Sequence, residues 1–177
     1  DPETAQEMID LIEQLRDEGD SVGGILCGCI RGLPAGLGEP VFDKFAADLG
    51  KAMLSINAVK GFEFGSGFAG ATMRGSEHND QFYSNTEQGI RTLSNFSGGT
   101  QGGITNGEDV YFRVAMKPVS TIVKRQKTLT QAGKEVEFQG EGRHDPCVLP
   151  RAVPIVDAMA ALVVMDHYLR HRGQNGR

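Results

Sequence analysis

EGRHDPCVLPRAVPIVDAMAAL, Glu141 to Leu162, sets three ionisable side chains, Arg143, His144 and Asp145, in front of Pro146, Pro150 and Pro154 and an apolar run. The spacing predicts a helix over Ala152 to Arg172. Its first half, Ile155 to Met165, has only Asp157 among apolar neighbours. A helix that is apolar on most sides needs cover on most sides, so it is expected between layers. Asp145 precedes a proline and is pushed toward an extended conformation, with the free N–H groups of the helix start close by. Two readings follow: a capping cluster in which Arg143 pairs with the acid, or a site where charged groups gather at a positive helix end. Residue types alone do not separate them.

Outward from this stretch, Val110 to Lys117 alternates as a strand, and Thr128 to Phe138 reads as a hairpin around Gln131-Ala132-Gly133. Val59 to Phe64 is a short strand, and Val22 to Leu33 another, ending at Leu33-Pro34-Ala35-Gly36-Leu37-Gly38. A helix is expected to start near Pro40 and end near Asn57, with Phe42, Phe45, Leu49, Met53 and Ile56 on one face. Met8, Leu11, Ile12 and Leu15 recur at helical spacing from Thr4 to Glu18, and Gly19 follows where a left-handed cap would sit. Helices and antiparallel strands in this order imply an α+β layered fold.

The chain has 177 residues, 39% hydrophobic and 23% charged, enough for one domain spanning 1–177. Its net charge of -5 argues against a nucleic-acid surface that works by bulk electrostatics and leaves room for a local basic pocket. Cys27, Cys29 and Cys147 fit neither a disulfide framework nor a zinc site and read as reduced thiols. No stretch approaches the length of apolar residues needed to span a bilayer, and no basic leader precedes an apolar core, so a soluble protein is expected. The start at Asp1 rather than a methionine points to a fragment.

Gly65-Ser66-Gly67-Phe68-Ala69-Gly70 fits GxGxxG after a strand. A dinucleotide site needs a longer helix and a parallel strand beyond it, whereas Arg74-Gly75-Ser76 interrupts at once, so a tight turn is the preferred reading. Arg74 to Thr105 shows little periodicity and much Gly, Ser, Asn and Thr, and residues 75–106 are expected to form a flexible glycine-rich loop, a lid or binding loop. Within it, Ser97 to Gly107 offers exposed backbone N–H groups to a ligand or is simply a surface loop. Lys117-Pro118-Val119-Ser120-Thr121 places a cation and two hydroxyls around a rigid proline, suitable for an anion, or forms a solvated strand end. His167 and His171 lie four apart on the last helix; without a third ligand they are read as its exposed polar face, and no metal site is expected.

The motifs taken together resemble chorismate synthase. Gly142 to Val148, Arg151-Ala152-Val153-Pro154-Ile155 and Ala158-Met159 are similar to the family's C-terminal signature. Gly19-Asp20-Ser21, Gly32 to Asp43, Ser55 to Gly61, Gly102-Gly103-Ile104 and Met116-Lys117-Pro118 agree in the right order. The resemblance covers essentially the whole chain but only about the C-terminal half of a family member. The family's two catalytic histidines, its arginine-rich substrate site and another flavin-contacting stretch have no counterpart here, and His78 and His144 are no substitutes.

The resemblance implies a partial β-α-β sandwich of antiparallel sheets and helices. It also implies conversion of 5-enolpyruvylshikimate 3-phosphate to chorismate by 1,4-elimination of phosphate, a carbon-oxygen lyase step of the shikimate pathway to aromatic amino acids. Reduced FMN would be used without net redox change and reduced by the enzyme itself, with NADP chemistry, or by an external donor. A homotetramer with a small-molecule substrate, no nucleic acid and no membrane is implied, in the cytoplasm or in a plant plastid. Asn57, Ala58, Gly102, Lys117, Pro118, Val119, Ser120, Thr121 and Arg143 would fall at the flavin, and Asp145 would be the acid near its reactive nitrogen. Two rival expectations stand beside this one: an inactive folded module with packing or assembly roles, and a nucleotide-binding oxidoreductase domain resting on the GxGxxG match.

Overall fold

A computed structural model describes residues 1–87 and 89–176. The central sheet has three antiparallel strands in the order β1 (Gly24–Ile30), β7 (Val110–Met116), β2 (Val59–Phe64). Strict alternation along β7 buries Val110, Phe112, Val114 and Met116 on one face and leaves Tyr111, Arg113 and Ala115 half-buried on the other. Register carries that division to both neighbours: Leu26 and Phe62 flank Val114, while Cys27 and Glu63 flank Arg113.

Two helices cover the apolar face. In α2 (Phe45–Leu54), Phe45, Leu49 and Met53 recur every four residues and are fully buried. In α4 (Leu149–Asn175), Ala152, Val156 and Ala160 repeat that spacing with small side chains, so the helix lies close to the sheet. Pro150 in its first turn suits a helix start, and Gly176, with φ 66°, caps its end. With Leu37, these residues form the core cluster. The fold is α+β, a sheet layer under a helix layer. Ile155, Leu162, Met165 and Leu169 of α4 face away from the sheet and are exposed.

Several expectations are corrected. The cover expected around Ile155 to Met165 is present on the sheet side only. At 27 residues, α4 is long and apolar enough to cross a membrane by length and composition, contrary to the sequence reading. It packs a buried stripe against β1 and α2, while most of its apolar window is not buried within the chain. Helix α2 starts at Phe45 rather than Pro40. Gly38 at φ +114° and a Glu39 N–H to Asp43 carbonyl bond of 2.8 Å curl the chain first and leave Phe42 88% exposed. His167 is 1% exposed, not on a polar face: it sits edge-on to Phe45, with its Nε2 3.1 Å from Asp48. That contact is an ion-pair distance whose angle does not make a hydrogen bond. His171 instead meets Asn175, and among the described residues no cluster of His, Cys, Asp or Glu is arranged for a metal.

Helix α1 (Pro2–Asp17) is capped by Asp1, which accepts from the Glu3 and Thr4 N–H groups. It buries none of its residues, and Met8 and Leu11 stay exposed. Where little periodicity was read, the chain forms secondary structure: a helical turn α3 (Gly75–His78) and the hairpins β3 (Phe82–Asn85) with β4 (Gly89–Thr92) and β5 (Thr100–Gln101) with β6 (Ile104–Thr105). Gln88 lies outside the described residues. The GxGxxG segment is a tight turn followed by a 3-10 helix, Gly67–Thr72. Gly65 and Gly67 have φ of +51° and +53°, and a Cβ on either would strike Phe96 carbonyl or Glu63. A third hairpin, β8 (Gln126–Leu129) with β9 (Glu135–Phe138), matches the sequence reading.

Asp80 organises the excursion between β2 and β7. It is 3% exposed and accepts from Ser94 Oγ at 2.7 Å and from the Phe96 and Ser97 N–H groups at 2.8 Å each. Burial pushes its carboxyl pKa up, and the bonds from Ser94, Ser97 and Phe96 more than offset this, leaving it below the ordinary carboxylate value. Asp80→Ala should cost about 3 kcal/mol at pH 7, read by urea unfolding, because charge-assisted hydrogen bonds contribute about 1.5–3 kcal/mol. A depressed folded pKa adds stability above the unfolded value near 3.8 that is lost as pH falls through the folded one. The cost of the substitution should therefore shrink steadily below about pH 4. Gly28 faces Phe112 across the β1–β7 pair, where an added Cβ would overlap the buried ring. Gly28→Ala is expected to cost about 1–3 kcal/mol by overpacking, measured the same way.

Candidate active site

A cleft of about 670 Å³ opens where three sequence-distant segments converge. Ser55 to Ala58 enter from the turn after α2, Met116 to Ser120 from the end of β7, and Val148 to Met159 from the first turns of α4. Antiparallel pairing brings the first two together: Val59 pairs with Met116, and Lys117 N–H donates to Ala58 carbonyl at 2.9 Å. Ala58 has φ +70°, a left-handed conformation that is uncommon for a residue with a Cβ and that clusters at functional positions.

The Lys117–Thr121 run is held from behind. Ser21 Oγ donates to Val119 carbonyl at 2.6 Å, and the Val123 and Lys124 N–H groups donate to Gly19 carbonyl. Lys124 Nζ is 2.7 Å from Asp20. That side-chain bond, with the Ser21 N–H, lowers the Asp20 pKa, while the Asp20 carboxylate raises that of Lys124. At the other wall, Val22 N–H donates to Pro146 carbonyl at 2.8 Å and Val22 bridges to Cys147, which fixes the entry to α4.

The structure brings Asn57, Ala58, Lys117, Val119 and Ser120 onto one cleft. Pro118 continues the same wall, its carbonyl 3.2 Å from Lys117 Nζ. Thr121 faces a separate small slot shared with His144. Gly102 stands at the tip of the β5–β6 hairpin with φ +61° and open space around it, away from the cleft lining. Arg143 is exposed, and Asp145 meets the cleft only through Arg151, whose Nη2 lies 3.2 Å from Asp145 Oδ1.

Sequence reasoning missed Arg151 as a site residue. Its only sequence signal is that a cation in the first turn of α4 is a poor match to the helix dipole, and the partner that explains it, Asp145, is set beside it by the fold. The cleft thus combines apolar walls from Ile56, Met116, Val148, Ile155 and Met159 with two cations, Lys117 and Arg151, and the amide-rich start of a long helix. Its volume is in the range of cofactor sites, and an apolar body with a cationic end suits a planar ring system bearing a phosphate or an anionic ring edge.

Comparison with known proteins agrees along nearly the whole chain. The family model described as chorismate synthase matches residues 1–169. A chorismate synthase of Gloeothece citriformis is 61% identical over 174 residues, 98% of this chain and 48% of its own. One from Christiangramia forsetii is 62% identical over 172 residues, with 97% and 48% covered. A crystal structure of chorismate synthase superposes with a TM-score of 0.78 at 32% identity, covering 97% of this chain and 44% of that one. The chain therefore spans about half the length of the curated relatives it matches, and it belongs to the chorismate synthase family.

Proposed function

We propose that this chain supplies the flavin-side half of a chorismate synthase, a lyase that eliminates phosphate from 5-enolpyruvylshikimate 3-phosphate to give chorismate. The observation that carries this reading is the convergence of segments 55–58, 116–120 and 148–159 on one amphipathic cleft in a chain of this family. Reduced FMN, when bound, supplies the electron density for a 1,4-elimination without net redox change.

The chain's residues do the rest of the work in this half. Ile56, Val148, Ile155 and Met159 give an apolar bed for a ring, and Lys117 and Arg151 hold negative charge at its edge. Ala58 and Asn57 present backbone at the turn where its strained φ fixes the chain. Arg151 holds the Asp145 carboxylate at the rim, where, by resemblance, Asp145 would hold or release a proton beside the flavin's reactive nitrogen. Resemblance also assigns Arg143, Thr121 and Gly102 to the flavin; since Thr121 faces the neighbouring slot and Gly102 sits on its hairpin away from the cleft lining, they would reach it only if the 75–106 segment closed over the cleft as a lid that excludes water.

A packing or assembly role has its own support in the exposed apolar faces of α1 and α4, which need a partner. In the enzyme reading that partner is the rest of the enzyme and its sister subunits in a cytoplasmic or plastid homotetramer. NADP enters only as a source of reducing equivalents for the flavin.

The test is a chimera of this chain with the other half of the Gloeothece citriformis enzyme, assayed anaerobically for phosphate and chorismate with reduced FMN. The chimera should turn over, whereas the chain alone should bind FMN weakly and release no phosphate. Turnover by the chain alone would overturn the half-site reading. Asp145→Asn in the chimera should lower kcat by about 10²–10⁴-fold, as loss of an acid–base group does, and change FMN affinity far less. Unchanged kcat would reduce Asp145 to a partner for Arg151 at the helix start.

A further inference from the structure

His144 stands between the two charged residues assigned to the flavin and has no role in that reading. Its Nε2 is buried and finds no partner among the described residues. A buried imidazole nitrogen without a hydrogen bond is costly, and such groups in native proteins are met by ordered water. His144 also lines a small slot with room for a molecule the size of water, shared with Arg16, Gly19, Asp20, Thr121, Ile122 and Pro146. A water molecule, which both donates and accepts, suits either tautomer of the ring there.

The slot lies where two parts of the candidate site meet. Thr121 and Ile122 continue the run that lines the cleft, and His144 leads through Asp145 to Arg151. Among the described residues, segments 117–124 and 139–147 share no direct hydrogen bond. They touch tightly instead at Gly140, which is buried and where a Cβ would come within 2.7 Å of Ile122 carbonyl and 3.4 Å of His144 Nε2. Successive side chains of an extended chain point to opposite sides, and Pro146 keeps Asp145 extended. Seating His144 in the slot therefore turns Arg143 and Asp145 outward together, in line with an exposed Arg143 and an Asp145 that reaches Arg151.

We infer that His144 is a positioning residue whose Nε2 holds one buried water, and that this water ties the Arg143–Asp145 segment to the Thr121–Ile122 segment. The positioning role rests on the proposed function, while the water-bridged tie stands on the fold alone.

Two measurements separate them. In this chain, His144→Phe keeps an aromatic ring and removes the nitrogens, and His144→Gln keeps a polar group at that depth. Amide hydrogen exchange at Val123 and Lys124, whose N–H groups bond to Gly19, should quicken about tenfold in His144→Phe, with β7 amides unchanged. His144→Gln should restore most of the protection. If His144→Phe does not fold, a water-to-imidazole Overhauser contact at His144 in the unaltered chain decides: its presence supports the tie and its absence overturns it. Unchanged exchange in a folded His144→Phe also overturns it. In the chimera, His144→Phe should lower kcat at least tenfold, with KM and FMN affinity within about threefold, and His144→Gln should recover most of kcat. An active chimera whose kcat ignores His144→Phe overturns the positioning role. A chimera inactive even unaltered, with the exchange result intact, overturns the proposed function and leaves the tie standing.

Discussion

The alternation of β7 is the constraint on which the rest of the molecule depends. Its four buried side chains supply the sheet's contribution to the core, and both neighbouring strands take their register from it. A one-residue slip would put Arg113 beneath the helices and Phe112 in solvent, so the register is held by the full cost of that exchange. The strand's last residue, Met116, leads directly into Lys117, and the cleft is therefore built at a fixed point on the core. The strength of the core and the geometry of the cleft are two results of one pattern.

Much of the fold was legible because it is written in short-range periodicity. β2, the β8–β9 hairpin and helix α1 fall where the spacing puts them, and the turn at Gly65 and Gly67 follows from chain sterics that only glycine satisfies. The misses share a cause. Phe42 has the right spacing for the face of α2, but the hydrogen bond from Glu39 to Asp43 ends the approach in a curl that no periodicity records. His167 looks polar in sequence and is buried because α2 crosses α4 at that turn and offers Phe45 and Asp48. Segment 75–106 looked structureless because what shapes it is one side chain, Asp80, acting 14 to 17 residues away.

The candidate site divides in the same way. Asn57, Ala58 and the Lys117 run were identified through resemblance, and the β2–β7 register explains why residues so far apart in sequence share a cleft. Arg151 was passed over because a cation in an apolar helix start reads as incidental until Asp145 is seen beside it. The opening question, whether the charges before α4 form a cap or a site, has a structural part of its answer: no side chain caps α4, and Asp145 is turned toward Arg151 at the cleft instead.

The strand order has a kinetic consequence. Ile25 pairs with Ala115, positions separated by 115 − 25 = 90 residues, so the sheet cannot begin as a local hairpin. Folding is therefore governed by closure of long loops, which slows domains rich in distant pairings. The excursion between β2 and β7 shortens that search. Gly65 N–H bonds to Tyr111 carbonyl, and Asp80 gathers Ser94 to Ser97 beside the same point, so the two ends of the excursion arrive together. A knot made by one carboxylate thus acts as a clasp that holds the two ends of the excursion side by side, leaving the β1–β7 pairing as the longer loop to close.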